Sequence, residues 1–126
     1  MKKEGTVKAL GNLEVYGIPN CNTVKKAIDF LRHHGVSFHF HDFKKEGVSL
    51  AHLETWAQQQ LWENLLNKKG TTWRGLSAEE QQAAQDRDGA FELMQQKPSV
   101  IKRPVTHWPN GEITIGFDEA LFTSKF

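Results

Sequence analysis

The pattern that most constrains the fold is a strand, a helix and a second strand in succession between residues 13 and 41. The first strand-like run ends in Leu13-Glu14-Val15-Tyr16. Apolar residues then repeat at helical spacing, and Gly35 is placed to end this helix. Val36–His41 alternates strictly between apolar and polar residues, as in a half-buried strand. This order predicts a βαβ unit with a right-handed crossover.

The middle of the chain, residues 49–97, predicts a small helical insertion. It is rich in Leu, Ala, Gln, Glu and Trp, all of which are compatible with helices. Ser49 is placed to cap one helix, and Ser77 forms a capping box with Glu80. Asp88 is expected to cap a further helix that Pro98 ends, and residues 67–74 are expected to form a loop.

The last part of the chain returns to strands. Asn110-Gly111 lies between two apolar-alternating runs, residues 105–108 and 112–115, and such a pair predicts a hairpin. Asp118 is then expected to cap a short helix. The order β-α-β, helices, β-β-α is that of an α/β thioredoxin-like fold with a mixed sheet and helices inserted between its two halves.

Length and composition favour one domain in a reducing compartment. The 126 residues suit a single domain, residues 1–126, with a flexible leader at residues 1–11. The net charge of +1 argues against nucleic-acid binding, and no segment is long and apolar enough to span a membrane. A single cysteine excludes an intramolecular disulfide, and with no apparent signal peptide it predicts a cytoplasmic location.

That cysteine, Cys21, follows the turn Gly17-Ile18-Pro19-Asn20 and opens the first helix. Unpaired backbone N–H groups and the helix dipole favour a thiolate at such a position, and the thiolate is the nucleophilic form. Lys25 and Lys26 follow closely. A free cysteine is more often a small buried hydrophobe, but that role would not require this setting. We therefore predict a reactive thiol.

Four separated motifs carry a resemblance to a known family. Residues 16–23, YGIPNCNT, resemble the catalytic loop of the ArsC/Spx family of arsenate-reductase-related proteins, and residues 101–105, IKRPV, resemble its second signature. Residues 65–74 and 41–47 are similar to the YffB-like subgroup. The resemblance extends from about residue 13 to about residue 122, and it implies the thioredoxin-like fold.

The resemblance also implies roles for single residues. Cys21 matches the nucleophile, Arg103 an arginine that binds an oxyanion near the sulfur, and Pro104 a proline that is typically cis. The cis proline is expected to press against the Cys21 loop and to offer main-chain groups to a peptide-like substrate.

Three positions depart from the arsenate reductases of this family. Asn67 and Gly116 stand where those enzymes carry further arginines, and Gly17 stands where they carry a histidine. Charge-assisted hydrogen bonds contribute about 1.5–3 kcal/mol each, so losing two argues against efficient arsenate reduction.

The chemistry left to a single thiol predicts a glutathione-dependent thiol–disulfide oxidoreductase. Val24 occupies the third position after Cys21, so a mixed disulfide must be resolved by an external thiol, for which glutathione is the natural candidate. The predicted substrate- or glutathione-binding residues are Arg103, Pro104, Lys25, Asn20, Asn67 and Arg74.

Two alternatives stay open. One is an arsenate reductase that uses glutathione or glutaredoxin, and the other is a non-enzymatic Spx-like regulator that binds RNA polymerase. No bound cofactor is predicted. No metal is predicted either, since the six histidines complete no ligand set.

Overall fold

The computed structural model describes residues 13–126. The leader predicted for residues 1–11 lies outside the described residues. The described chain forms two compact units. The first, the sheet unit, holds residues 13–42 and 103–126, and the second, the helical unit, holds residues 43–102. The organisation as a single domain with an insertion at residues 49–97 stays a prediction.

Four strands form one mixed sheet in the sheet unit. Their order is β2-β1-β3-β4, with β1 and β2 parallel and the other two pairs antiparallel. The strands are β1 (Glu14–Gly17), β2 (His39–Asp42), β3 (Val105–His107) and β4 (Ile113–Ile115). This topology confirms the α/β, thioredoxin-like prediction.

Seven α-helices and two 3₁₀ turns are found in the described chain. The helices are α1 (Asn22–His33), α2 (Phe43–Glu46), α3 (Leu50–Ala57), α4 (Thr71–Arg74), α5 (Ala78–Ala83), α6 (Arg87–Gln96) and α7 (Glu119–Thr123). The 3₁₀ turns are Trp62–Leu65 and Pro98–Val100. No helix among residues 13–126 has the length and apolar character that crossing a membrane requires.

Helix α1 ends in a Schellman motif, which sets the start of the second strand. Gly35 has a positive φ of 68° and donates its N–H to the carbonyl of Arg32 at 3.0 Å. Val36 donates to the carbonyl of Leu31 at 2.9 Å. Because these groups close the helix, β2 begins at His39, three residues later than the alternating pattern predicts.

The buried face of α1 covers the sheet. Val24, Ala27 and Leu31 are buried, as their helical spacing predicts. The core cluster of the sheet unit consists of Leu13, Val15, Ala27, Leu31, Val36, Trp108 and Phe122.

The predicted hairpin is confirmed and joins β3 to β4. Trp108 donates its N–H to the carbonyl of Glu112 at 2.8 Å, and Asn110 Oδ1 accepts the Glu112 N–H at 2.9 Å. Across the hairpin, the buried indole Nε1–H of Trp108 donates to Thr114 Oγ1 at 2.9 Å. Asp118 caps α7, as predicted, by accepting from the N–H of Ala120 at 2.9 Å.

Two predicted caps in the helical unit are confirmed. Ser49 Oγ accepts from the N–H of His52, and Ser77 and Glu80 form the reciprocal capping box.

Two other predictions in this unit need correction. The prediction that Asp88 caps the next helix is wrong: Asp86 accepts the Gly89 N–H at 2.7 Å, and Asp88 lies in the first turn of α6. The loop expected over residues 67–74 ends in one turn of helix, α4, because Gly70 and Thr71 carbonyls accept the N–H groups of Arg74 and Gly75.

Candidate active site around Cys21

Cys21 lies between the end of the first strand and the start of the first helix. β1 ends at Gly17, and Cys21 is the N-cap residue of α1 with extended backbone angles. Its N–H donates to the carbonyl of Ile18 at 3.2 Å, and its carbonyl accepts the Lys25 N–H at 2.9 Å. The thiol is partly exposed. The turn therefore fixes a reachable sulfur at the helix N-terminus, as the sequence predicts.

The surroundings of Cys21 favour its thiolate. Partial burial raises the pKa of the thiol, but the N–H of Val24, the guanidinium of Arg103 and the N–H of Thr23 together lower that pKa below its ordinary value. The two N–H groups act as hydrogen-bond donors to the sulfur, and such donors stabilise the thiolate more than the thiol.

Arg103 reaches this site because of how the strands pair. β3 runs antiparallel to β1 with Tyr16 opposite Val105, so the residues just before β3 arrive where β1 ends. Arg103 is partly buried and interacts with the Cys21 side chain through a hydrogen bond and through its charge. The sheet therefore brings the two residues together across 82 positions of sequence.

Pro104 follows Arg103 through a cis peptide bond, as the resemblance implies. It is buried, and its carbonyl accepts the N–H of Gly116 at 2.8 Å. Proline has no N–H to donate. The Pro104 backbone therefore cannot donate a hydrogen bond to a substrate.

Steric and backbone requirements explain the glycines at positions 17 and 116. A Cβ on Gly17 would lie 2.8 Å from Cγ2 of Val24, so β1 and α1 pack too closely for a larger residue without movement. Gly116 has a φ of 88°, which L side chains rarely adopt. A Cβ on Gly116 would nevertheless meet no atom within 4 Å, so the space beside it is open.

The other predicted residues of the sheet unit are Asn20 and Lys25. Asn20 is exposed in the turn before the thiol. Lys25 is exposed on α1 and lines a groove with Pro19, Arg32 and Phe38, and Cys21 does not line that groove. The nearby cation that lowers the Cys21 pKa is Arg103.

Asn67 and Arg74 belong to the helical unit, where Asn67 has a local structural role. The Asn67 N–H donates to the carbonyl of Val100 at 2.7 Å, and its Oδ1 accepts the Lys69 N–H at 3.3 Å. Arg74 is exposed at the end of α4. A role for either residue at the thiol stays a prediction.

The sequence does not predict a cluster of Tyr16, His41 and Glu14 beside β1. Tyr16 stacks on His41 with ring centroids 4.4 Å apart, and His41 Nε2 lies 2.5 Å from Glu14 Oε1. The alternation on each strand is visible in the sequence, but the register that puts Tyr16 opposite His41 is not. Among residues 13–126, no group of three His, Cys, Asp or Glu side chains could hold a metal ion.

Comparison with known proteins identifies the family. The model of the ArsC family matches residues 16–124. An uncharacterised protein of Haemophilus influenzae is 37% identical over 114 residues, which cover 90% of this chain and 98% of that protein.

Solved structures agree with this match. A protein called YffB is 38% identical with a TM-score of 0.83, over 90% of this chain and 97% of that one. An arsenate reductase (ArsC) related protein from Brucella melitensis is 39% identical with a TM-score of 0.71, over 90% and 93% of the two chains. With the family model matching nearly the whole chain, and with these relatives aligned along most of their own lengths, the protein belongs to the ArsC family.

Proposed function

We propose that the protein is a thiol-dependent oxidoreductase that reduces glutathione mixed disulfides through Cys21. Membership of the ArsC family and the similarity to an arsenate reductase related protein support thiol-dependent redox chemistry. The observation that carries the proposal is the partly exposed Cys21 thiol, whose pKa is lowered by Arg103 and by two backbone N–H groups. A lowered pKa increases the fraction of the thiol present as thiolate, which is the nucleophilic form.

The reaction has two balanced exchanges. The Cys21 thiolate attacks the glutathione sulfur of a mixed disulfide, a Cys21–glutathione disulfide forms, and the other thiol leaves as a thiolate that takes a proton from water. A second glutathione thiolate then attacks this adduct, which releases oxidised glutathione and restores the Cys21 thiolate. Over the two exchanges, one mixed disulfide and one glutathione give one free substrate thiol and one oxidised glutathione. The reducing cytoplasm supplies glutathione, and we place the reaction there.

The first exchange needs an external thiol to follow it. Val24, at the third position after Cys21, is fully buried and packs close to Gly17. Cys21 is also the only cysteine of the sequence. The resolving sulfur must therefore come from another molecule.

We assign glutathione recognition to the residues around the thiol. Arg103 and Lys25 are the cations proposed to bind the two carboxylates of glutathione. Asn20 and Pro104 are proposed to contact the glutathione backbone. Asn67 and Arg74 are proposed to contribute from the helical unit. The resemblance supports this set, and the interaction of Arg103 with Cys21 supports its central member.

Arsenate reduction is disfavoured by the two glycines. A dianion is held best by several cationic side chains at fixed positions. Gly17 cannot be enlarged without displacing Val24, and Gly116 presents open space where an arginine would be needed. An organic disulfide needs fewer cations, and the open space beside Gly116 is compatible with a larger substrate.

The test is turnover of a small mixed disulfide of glutathione and 2-mercaptoethanol, coupled to NADPH oxidation by glutathione reductase. We expect turnover by the native protein, none by Cys21→Ser, and one glutathione bound per chain when the second thiol is withheld. Arsenate in place of the disulfide is expected to give little or no activity. Absence of both turnover and adduct, together with stable capture of RNA polymerase, would favour the Spx-like regulator instead.

A further inference from the structure

A groove of about 290 Å³ runs along α1 beside the Cys21 loop, entirely within the sheet unit. Its apolar lining comes from Pro19 in the loop, Ile28 on the helix, and Phe38 and Phe40 of the second strand region. Both phenylalanines are only partly buried. The groove therefore offers an apolar surface, partly aromatic, that begins at Pro19, two residues before the thiol.

Cations flank this aromatic surface. Lys25 and Arg32 both line the groove from exposed positions on α1, against a single acid, Asp29. The Arg32 guanidinium lies 5.9 Å from the ring centroid of Phe38, which places a cation at the far end of the apolar floor. Within residues 13–126, no ion pair joins Lys25 or Arg32 to an acid. The lining thus carries one net positive charge.

The strand that forms the opposite wall is a sheet edge. In the sheet as described, β2 pairs with β1 alone, with Phe40 opposite Val15. This register turns Phe38 and Phe40 toward the α1 side and His39 and His41 toward the other face. The wall of the groove is therefore apolar although the strand itself alternates.

The distance from the thiol to Arg32, at the end of the groove lining, suits a short peptide. Arg32 follows Cys21 by eleven residues, which is about 16 Å along a helix axis. An extended peptide covers this length with about four or five residues. A small disulfide bound at Cys21 would not reach Arg32, whereas a longer substrate would.

We infer that this groove binds the protein half of the mixed disulfide, as a segment with an apolar residue near its cysteine and an acidic residue about four or five positions away. The inference rests on the proposed function. The apolar residue packs on Pro19, Phe38 and Phe40, and the acid pairs with Arg32. When Cys21 attacks the glutathione sulfur of a glutathionylated protein, the protein sulfur departs as a thiolate, and the groove holds this departing segment.

The test uses glutathionylated peptides of equal length, with phenylalanine two residues from the cysteine and Glu, Gln or Lys five residues away. Each is made with the acid on either side of the cysteine, and kcat/KM is measured at low and high salt. For one of the two directions, we expect the Glu peptide to exceed the Lys peptide by about threefold to tenfold at low salt, and by less at high salt. This comparison uses the native protein and does not depend on a variant folding.

The second part of the experiment reverses the charge at position 32. Arg32→Glu is expected to reverse the preference, so that the Lys peptide becomes the better substrate. Lys45→Glu changes an exposed charge of the helical unit by the same amount and is expected to keep the native preference. Arg32 lies farther from the sulfur than the screening length of about 8 Å, so the alkylation pKa of Cys21 should be the same in Arg32→Glu.

The outcomes separate the two proposals. If the native protein turns over the small disulfide but treats all peptides alike, or if Arg32→Glu and Lys45→Glu behave alike, the groove assignment is wrong and the proposed function stands. If neither the small disulfide nor any peptide is turned over, the proposed function fails and the groove assignment fails with it.

Discussion

At the scale of single residues, one cation acts together with two backbone N–H groups on the Cys21 thiol. Arg103 interacts with the Cys21 sulfur and lowers its pKa, so Arg103→Ala is expected to raise that pKa and to slow alkylation at pH 7. Hydrogen bonds to charged groups contribute about 1.5–3 kcal/mol, so we expect disulfide reduction to fall about tenfold or more. Iodoacetamide reaction rates measured against pH report the change.

Lys26→Ala is the matched control for this prediction. It removes an exposed cation from the same end of α1, but Lys26 is not among the groups that lower the pKa of Cys21. We expect it to shift the alkylation profile much less than Arg103→Ala does. Equal shifts would show that general positive charge, and not the Arg103 contact, favours the thiolate.

A second residue-scale prediction concerns Gly17. Gly17→Ala places a Cβ only 2.8 Å from a Val24 methyl, and overpacking of this kind costs about 1–3 kcal/mol of unfolding free energy. Urea denaturation measures the loss. The same change in a Val24→Ala background should cost clearly less, because the clashing methyls are gone.

Gly75→Ala is the comparison for Gly17→Ala. Gly75 has a φ of −81°, and its added Cβ would meet atoms no closer than 3.4 Å. We expect little change in its unfolding free energy. If both glycine variants lost the same stability, close packing between β1 and α1 would not be the reason for Gly17.

At the scale of elements, Asp86 and Asp88 at the start of α6 are expected to contribute differently to stability. Asp86 accepts the Gly89 N–H at 2.7 Å, whereas Asp88 is almost fully exposed and lies 3.5 Å from Arg87. Asp86→Ala is expected to lower the unfolding free energy by about 1 kcal/mol, the usual effect of losing an N-cap. Asp88→Ala is expected to cost only a few tenths. Thermal melts of the two variants measure the difference, and an equal loss would refute the cap assignment.

The same turn shows why sequence alone misplaced this cap. Asp86 and Asp88 are both good N-caps, and nothing local distinguishes them. A Cβ on Gly89 would lie 1.8 Å from the Ala83 carbonyl oxygen, so the chain passes close to its own preceding helix here. That tertiary contact is invisible in a single sequence. Ser49, Ser77 and Asp118 had no such competitor nearby, and their caps are confirmed.

In the candidate site, too, local features could be predicted from the sequence and tertiary contacts could not. The setting of Cys21 could be predicted because a strand, a turn and a helix adjoin it in sequence. Its link to Arg103 came from the resemblance, since only the antiparallel pairing of β1 and β3 brings the two residues together. The place of Lys25 in the groove depends on the position of Phe38, which periodicity does not supply.

At the scale of the whole molecule, the lowered pKa of Cys21 makes folding stability depend on pH. The folded thiol has the lower pKa, so the unfolded chain binds more protons between the folded value and the unfolded value of about 8.5. Stability from this group therefore rises with pH through that window, is fully present above the unfolded pKa, and is lost as pH falls through the folded pKa.

Urea denaturation from pH 5 to pH 9 tests this dependence. The unfolding free energy of the native protein, minus that of Cys21→Ser, should increase as pH rises. Arg103→Ala should flatten the increase, because it removes a group that favours the folded thiolate. A difference independent of pH would mean that folding leaves the proton affinity of this thiol unchanged.

The buried tryptophan of the hairpin gives the sheet unit an optical signal of its own. Three of the four tryptophans lie in the helical unit, and Trp108 is the one that remains, enclosed and hydrogen bonded to Thr114. With the other three indoles replaced by phenylalanine, fluorescence emission would come from the sheet unit alone. Shielded from water, this indole emits at short wavelength, and opening of the hairpin would shift its emission to the red. Tryptophan fluorescence would then report unfolding of the sheet unit, which carries Cys21, without a signal from the helical unit.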